Sequence, residues 1–177
     1  MGNLRSVAKA LETAGAVVNV TGDPDEIERA DKLCVPGQGV FDRCVGTLRA
    51  NTLDEVVSRW IGDERPYLGI CLGMQVLFAS SEEGDDHGLG LLPGDVRRLP
   101  DSVRVPHIGW NEVNGEYFYF DHSYAVFAAD ESMVTGWCDH GDRFAARVEH
   151  GSILGVQFHP EKSSAAGLAL LESWVAA

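Results

Sequence analysis

One short segment, YLGICLGMQVLF at residues 67–78, constrains this chain more than any other. An apolar run with strand character ends at Cys71, and an apolar run with helical character begins at Leu72. Gly69 and Gly73 stand two residues to either side of the cysteine. A chain that passes from strand to helix within one residue strains that residue, and only glycines let the two elements approach closely enough. The pattern G-x-C-x-G therefore predicts a sharp strand–turn–helix that exposes a thiol at a helix N-terminus, where the helix dipole favours the thiolate. Taken alone, the pentapeptide fits a buried cysteine in a glycine-rich turn equally well.

The rest of the chain supplies an α/β setting for that turn. Residues 3–14 repeat apolar side chains (Leu4, Val7, Ala8, Leu11) at helical spacing and stop at Gly15. Residues 16–20 (AVVNV) read as a buried strand, and 23–30 as a short helix capped by Asp23 ahead of Pro24. KLCVPGQG at 32–39 reads as a strand ending in a glycine turn, 40–61 as mostly helical, 66–70 as a strand and 72–81 as a helix. Alternating helices and strands imply a mostly parallel central sheet flanked by helices. Beyond it, short strands near 94–99, 104–113, 116–128, 133–137, 143–149 and 152–158, with turns at Asn114-Gly115 and His150-Gly151, predict added antiparallel hairpins. A helix over 163–177 closes the chain. No repeat or linker divides it, so residues 1–177 are expected to form a single domain. A helix opens the chain where an alternating α/β fold opens with a strand, so a first strand is expected to be missing, or residues to precede Met1.

Charge and cysteine usage exclude several functions. Acidic residues outnumber basic ones 27 to 14, for a net charge of −13. A phosphate backbone needs lysine and arginine, so nucleic acid is not an expected partner. Lysine occurs only at positions 9, 32 and 162. Such a surface fits high salt, where screening relieves self-repulsion, and stability is then expected to rise with added salt. The cysteines, Cys34, Cys44, Cys71 and Cys138, form no C-x-x-C pair, and all but Cys71 are expected to be buried small hydrophobes. His107, His122 and His140 lack ligand spacing, so no metal and no cofactor is expected. No membrane span or signal peptide is recognisable, and a cytoplasmic protein is expected. The opening MGNLRS fits a myristoylation pattern, but no polybasic patch accompanies it.

Two further motifs give the cysteine chemical company. Val156-Gln157-Phe158-His159-Pro160-Glu161 ends an apolar strand with a histidine. Proline forbids helix continuation there, so Glu161 can lie on the same side as His159 and orient its ring. A cysteine nucleophile needs such a base. Pro36-Gly37-Gln38-Gly39 follows a strand, and its glycines let backbone N–H groups approach an anion. Taken alone it is an ordinary turn.

These motifs, in this order, resemble the class I (triad-type) glutamine amidotransferases. Finer matches, at GNLRSV (2–7), SEEG (81–84), GLGLLPGDV (88–96), PHIGWN (106–111), YFDHSY (119–124) and QFHPEKS (157–163), resemble the glutaminase subunits of imidazole glycerol phosphate synthase, a histidine-biosynthesis enzyme. The resemblance implies Cys71 as nucleophile, His159 as proton shuttle and Glu161 as its orienter. It implies oxyanion donors at Leu72 and in the Gly37–Gly39 turn, and glutamine-binding positions at Gln75, Glu83, His122, Ser123 and Tyr124. It implies a heterodimer with a (β/α)8-barrel cyclase subunit that receives the ammonia, with Trp110, Asn111, Tyr119 and Lys162 near the interface. Members of the family usually begin with a short apolar strand ahead of G-N-L, which is absent here, and Gln38 takes a position commonly held by a small apolar residue. The alternatives are a glutaminase of another synthase, a stand-alone cysteine hydrolase and a catalytically silent docking subunit.

Overall fold

The computed structural model describes residues 4–177, so the myristoylation-like opening and the first residue of the expected first helix lie outside the described residues. Six helices and nine strands follow in the order α1 (Leu4–Thr13), α2 (Pro24–Glu28), β1 (Leu33–Gly37), α3 (Phe41–Ala50), α4 (Leu53–Gly62), β2 (Tyr67–Cys71), α5 (Leu72–Gln75), β3 (Gly94–Arg98), β4 (His107–Val113), β5 (Glu116–His122), β6 (Tyr124–Ala128), β7 (Val134–His140), β8 (Asp142–His150), β9 (Ile153–Val156) and α6 (Ser164–Ala176). Single 3-10 turns cover Glu131–Met133 and Pro160–Lys162.

Seven strands form one sheet, β1-β2-β9-β8-β6-β3, with β7 also paired to β8. The β1–β2 and β2–β9 pairs are parallel and the others antiparallel. The carboxyl ends of the three parallel strands therefore converge, and there an open α/β sheet places its ligands. Strands β4 and β5 form a separate ribbon whose Asn114-Gly115 turn has positive φ at both residues, as a two-residue hairpin demands. Gly141 and Gly151, also at positive φ, turn β7 into β8 and β8 into β9. Asp23 caps α2 by accepting from the Asp25 N–H at 2.8 Å.

Three elements differ from the reading of the sequence. Residues 16–20 form no strand: Val17 is fully exposed, Val20 mostly so, while Ala16 and Val18 pack on the core. The alternation is that of a strand, but among the described residues no strand pairs with it, and without a ladder there is no sheet. The expected helix over 72–81 stops at Gln75. The carbonyls of Val76, Leu77 and Ala79 accept from Leu89, Leu91 and Gly88, so a returning segment takes the acceptors a longer helix would need. The expected strand over 116–128 breaks at Ser123 into β5 and β6, which belong to different sheets. Two apolar cores flank the main sheet: Phe41, Trp60, Tyr67 and Phe78 on one side, Leu68, Phe120, Phe144 and Phe158 on the other.

Candidate functional site

At the turn from β2 to α5, Cys71 has φ 53° and ψ −109°, a conformation that side chains rarely adopt. The neighbouring glycines make it possible. A methyl group at Gly69 would overlap the Gly73 carbonyl, one at Gly73 the Val35 carbonyl, and one at Gly37 the Leu72 side chain. The buried Tyr67 hydroxyl donates to the Gly73 carbonyl at 2.7 Å and braces the turn from below. Cys71 is only 5% exposed. Burial pushes its thiol up to about 12; Asp121 and Glu161 act in the same direction, while the Leu72 N–H and Lys162 oppose them. Burial thus acts against the thiolate that the helix dipole was expected to favour. Helix α5 has only four residues, too few for a dipole that offsets the loss of water.

His159 follows β9 on a backbone held from both sides. Its N–H donates to the Tyr119 carbonyl at 2.8 Å, and its carbonyl accepts from the Ser163 hydroxyl at 2.6 Å. Its Nδ1 lies 2.9 Å from Glu161 Oε1, and both side chains are almost completely buried. His159 Nε2 and Glu161 Oε2 are buried and make no hydrogen bond among the described residues.

A cavity of about 290 Å³ opens above the cysteine. Cys71, Leu72, Gln38 and Gly39 line one side; Gln75, Glu83, His122, Ser123 and Tyr124 line the rest with Pro106 and Asp121. The five positions matched to glutamine binding thus share one cavity with the cysteine. Gly37, His159 and Glu161 border a separate, smaller cavity of about 10 Å³. Gly39 has φ +114°, which suits it to glycine, and with Gln38 it lines the same cavity as the cysteine.

Several of these side chains are committed inside the protein. Glu83 Oε2 accepts from the Phe41 N–H at 2.8 Å, holding the start of α3, and burial raises its pKa. His122 spends both ring nitrogens, Nδ1 on the Tyr124 carbonyl at 2.9 Å and Nε2 on His107 Nδ1 at 3.0 Å. Burial, with the neighbouring histidines, lowers His122 to about 3 and His107 to about 4. His140 stacks on His107, ring centroids 4.0 Å apart. These histidines do come together, yet among the described residues no cluster of three His, Cys, Asp or Glu is arranged to hold a metal ion.

Of the residues matched to an interface, Trp110 and Tyr119 face each other in register across β4 and β5, with Lys162 Nζ over the Tyr119 ring at 5.4 Å and 3.7 Å from Asp121. Asn111 points to the opposite face, where Nδ2 donates to His107 Nε2 at 3.2 Å and to the Asp139 carbonyl at 3.1 Å. All four cysteines are free; Cys34 and Cys44 are half-buried rather than buried.

Sequence reasoning assigned no role to Gln157, which is fully buried and whose Nε2 lies 3.5 Å from the Cys71 sulfur. A polar residue at the end of an apolar strand was the available signal. It also missed the His107–His122 pair. Counting outward from the Asn114-Gly115 turn places those residues opposite each other.

The family model for class-I glutamine amidotransferases matches residues 1–176. Among curated relatives, the imidazole glycerol phosphate synthase subunit HisH of Rhodopirellula baltica is 43% identical over 192 residues, covering all of this chain and 94% of the relative. The HisH subunit of Moorella thermoacetica is 44% identical, covering 98% of this chain and 90% of the relative. A crystal structure of a glutamine amidotransferase superposes with a TM-score of 0.80 at 21% identity, covering 99% of this chain and 95% of that one. The glutaminase domain of Trypanosoma brucei CTPS gives 0.61 at 18% identity, covering 97% and 87%. The fold is shared with both structures. With a cysteine elbow, a buried His–Glu pair and relatives of this similarity over its whole length, this chain belongs to the class-I glutamine amidotransferases and, within them, to the HisH subunits of imidazole glycerol phosphate synthase.

Proposed function

We propose that this chain hydrolyses glutamine to glutamate and ammonia as the glutaminase subunit of imidazole glycerol phosphate synthase in histidine biosynthesis. One observation carries the reading: a strained, glycine-framed cysteine at the floor of a 290 Å³ cavity, on the same sheet end as a histidine held 2.9 Å from a buried carboxylate.

In this reading the Cys71 thiol gives its proton to His159 Nε2, a buried nitrogen with no hydrogen bond among the described residues. The sulfur attacks the side-chain amide carbon of glutamine. The Leu72 N–H and the amides of the Gly37–Gly39 turn stabilise the tetrahedral oxyanion. His159 passes its proton to the departing nitrogen, leaving a γ-glutamyl thioester and ammonia. It then takes a proton from water, whose oxygen attacks the thioester carbon, and returns a proton to the sulfur as glutamate leaves. Glu161 holds the ring in the required tautomer throughout. The cavity walls at Gln75, Glu83, Ser123 and Tyr124 hold the glutamine head group, the Glu83 carboxylate facing its ammonium. His122 contributes its backbone and ring rather than a free nitrogen.

The ammonia passes to a (β/α)8-barrel cyclase subunit in a heterodimer. The exposed Trp110, beside the half-buried Tyr119 and Lys162, supports this docking face, since aromatics beside a cation are typical anchors of protein interfaces. Trp110→Ala is expected to weaken the complex about thirtyfold or more, as measured by titration calorimetry.

Glutamate release with and without the cyclase tests the whole reading. Turnover that depends on the cyclase is expected. No turnover even with cyclase and its ligand would make the chain a silent docking subunit, and full turnover alone a free-standing hydrolase. Cys71→Ala is expected to abolish turnover and leave the complex intact; retained turnover would refute the assignment.

A further inference from the structure

A continuous line of hydrogen bonds runs from the Cys71 sulfur to strand β4, and the proton positions along it follow from its fixed acceptors. The Tyr124 carbonyl can only accept. It takes one bond from His122 Nδ1 at 2.9 Å, so that nitrogen carries the proton. His122 is neutral near pH 7, so its Nε2 is bare and accepts from His107 Nδ1 at 3.0 Å. His107 Nε2 is then bare in turn and accepts from Asn111 Nδ2 at 3.2 Å. Asn111 is fixed in orientation because its second N–H reaches the Asp139 carbonyl and its oxygen accepts from the Glu112 N–H at 2.8 Å.

The other arm starts from the same carbonyl. The Tyr124 oxygen also accepts from Gln75 Nε2 at 2.9 Å, and the second proton on that nitrogen goes to Gln157 Oε1 at 2.9 Å. With its oxygen so engaged, the Gln157 amide turns Nε2 to the Cys71 sulfur at 3.5 Å. Each ring nitrogen and each side-chain amide along the line has a partner, and the Tyr124 and Asp139 carbonyls, which can only accept, leave one arrangement of them. Gln75, Gln157, His107 and His122 are all at least nine-tenths buried.

We propose that Gln157 is a positioning residue for the Cys71 sulfur, held in place by the line Gln75–Tyr124 carbonyl–His122–His107–Asn111. Among the described residues it makes the only side-chain hydrogen bond to that sulfur. An N–H donor strengthens when its acceptor becomes charged. Gln157 therefore aims the sulfur and favours it as the thiolate that attacks. The carboxylates of Asp121 and Glu161 oppose that charge, Lys162 and the Leu72 N–H favour it, and His159 receives the proton. The line anchors the sulfur to β4, whose opposite face carries Trp110.

This deepens the glutaminase reading and rests on it, but its test does not need glutamine. The rate at which iodoacetamide alkylates Cys71, followed by mass spectrometry of the Cys71 peptide in the full chain, reads the reactivity of the sulfur. Gln157→Met keeps the volume without the donor, and Gln157→Glu keeps the shape but adds a charge that opposes the thiolate. The expected order is the unchanged chain, then Met about tenfold slower, then Glu slower still. In the cyclase complex kcat follows the same order while KM for glutamine stays within about twofold. A space-filling role predicts no ordering by charge, and alkylation of the Met variant within about twofold of the unchanged chain would overturn the proposal. Should Gln157→Met not fold, Gln75→Met releases the Gln157 oxygen and must slow alkylation in the same direction; an unchanged rate there overturns it equally. His107→Phe tests the far end. It is expected to slow alkylation about threefold alone and to add nothing to Gln157→Met, since the residues act as one line; effects that multiply would reduce the proposal to Gln157 by itself.

Discussion

Two buried histidine pairs, His159 with Glu161 and His122 with His107, differ in what stands behind the imidazole. His159 and His122 are both more than nine-tenths buried, and each has a ring nitrogen about 3 Å from a neighbouring side chain. The difference lies in the acceptor behind Nδ1. His159 faces the Glu161 carboxylate, while His122 faces the Tyr124 carbonyl. A carboxylate can balance an imidazolium, whereas a carbonyl can only fix a tautomer. In the proposed reaction the first pair moves a proton, while the second keeps its protons where they are. Both acceptors lie two positions further along the chain, so the difference rests on the kind of group and not on the spacing.

Removing the carboxylate should do the most damage. Glu161→Gln keeps the shape but offers the wrong partner to His159, and kcat is expected to fall by about 10³- to 10⁴-fold with the fold retained, measured as glutamate release in the complex. Loss below about tenfold would mean that the two pairs are less different than their acceptors imply.

Acid should expose the other pair. His107 and His122 are held below the ordinary histidine value, to about 4 and about 3, so in the folded protein they stay neutral while the unfolded chain takes up their protons. Between about pH 6.5 and pH 4 the unfolded state binds more protons, and stability is expected to fall as pH falls through that window. Thermal unfolding followed across it should lose slope in His107→Phe. An unchanged slope would mean that these rings do not control it. The smallest effect belongs to the end of the line: Asn111→Leu leaves His107 Nε2 without a donor, and is expected to lower stability by about 1 kcal/mol in urea unfolding.

What could be read from the sequence was what local sterics dictate. Gly69, Cys71 and Gly73 announce the elbow because the overlaps they avoid arise from the turn itself and from the strand beside it. The Pro160 between His159 and Glu161 announces their shared side, and Asn114-Gly115 announces the ribbon. The failures share one cause, the partner distant in sequence. The helix expected beyond Gln75 ends because residues 88–91 claim its carbonyls. The run at 16–20 alternates like a strand yet has no neighbour to pair with. Gln157 depends on Gln75, 82 residues away, and neither residue alone signals the contact. The burial that opposes a thiolate at Cys71 went unforeseen because burial, unlike motif, is a property of the packed whole.

The exposed valines at 17 and 20 carry a consequence for the protein as a colloid. Elsewhere β1 ends the sheet order with β2 as its only strand partner among the described residues, so one of its edges offers N–H and C=O groups that no strand pairs. Such an edge is adhesive toward any extended chain, including another copy. A net charge of −13 keeps copies apart at low ionic strength. At about 0.1 M salt that repulsion reaches only about 10 Å. Salt therefore acts in two directions on this molecule, relieving repulsion within each copy and removing the barrier between copies. Light scattering across a salt series is expected to show association rising with ionic strength, and a Lys placed at Val17 should suppress it.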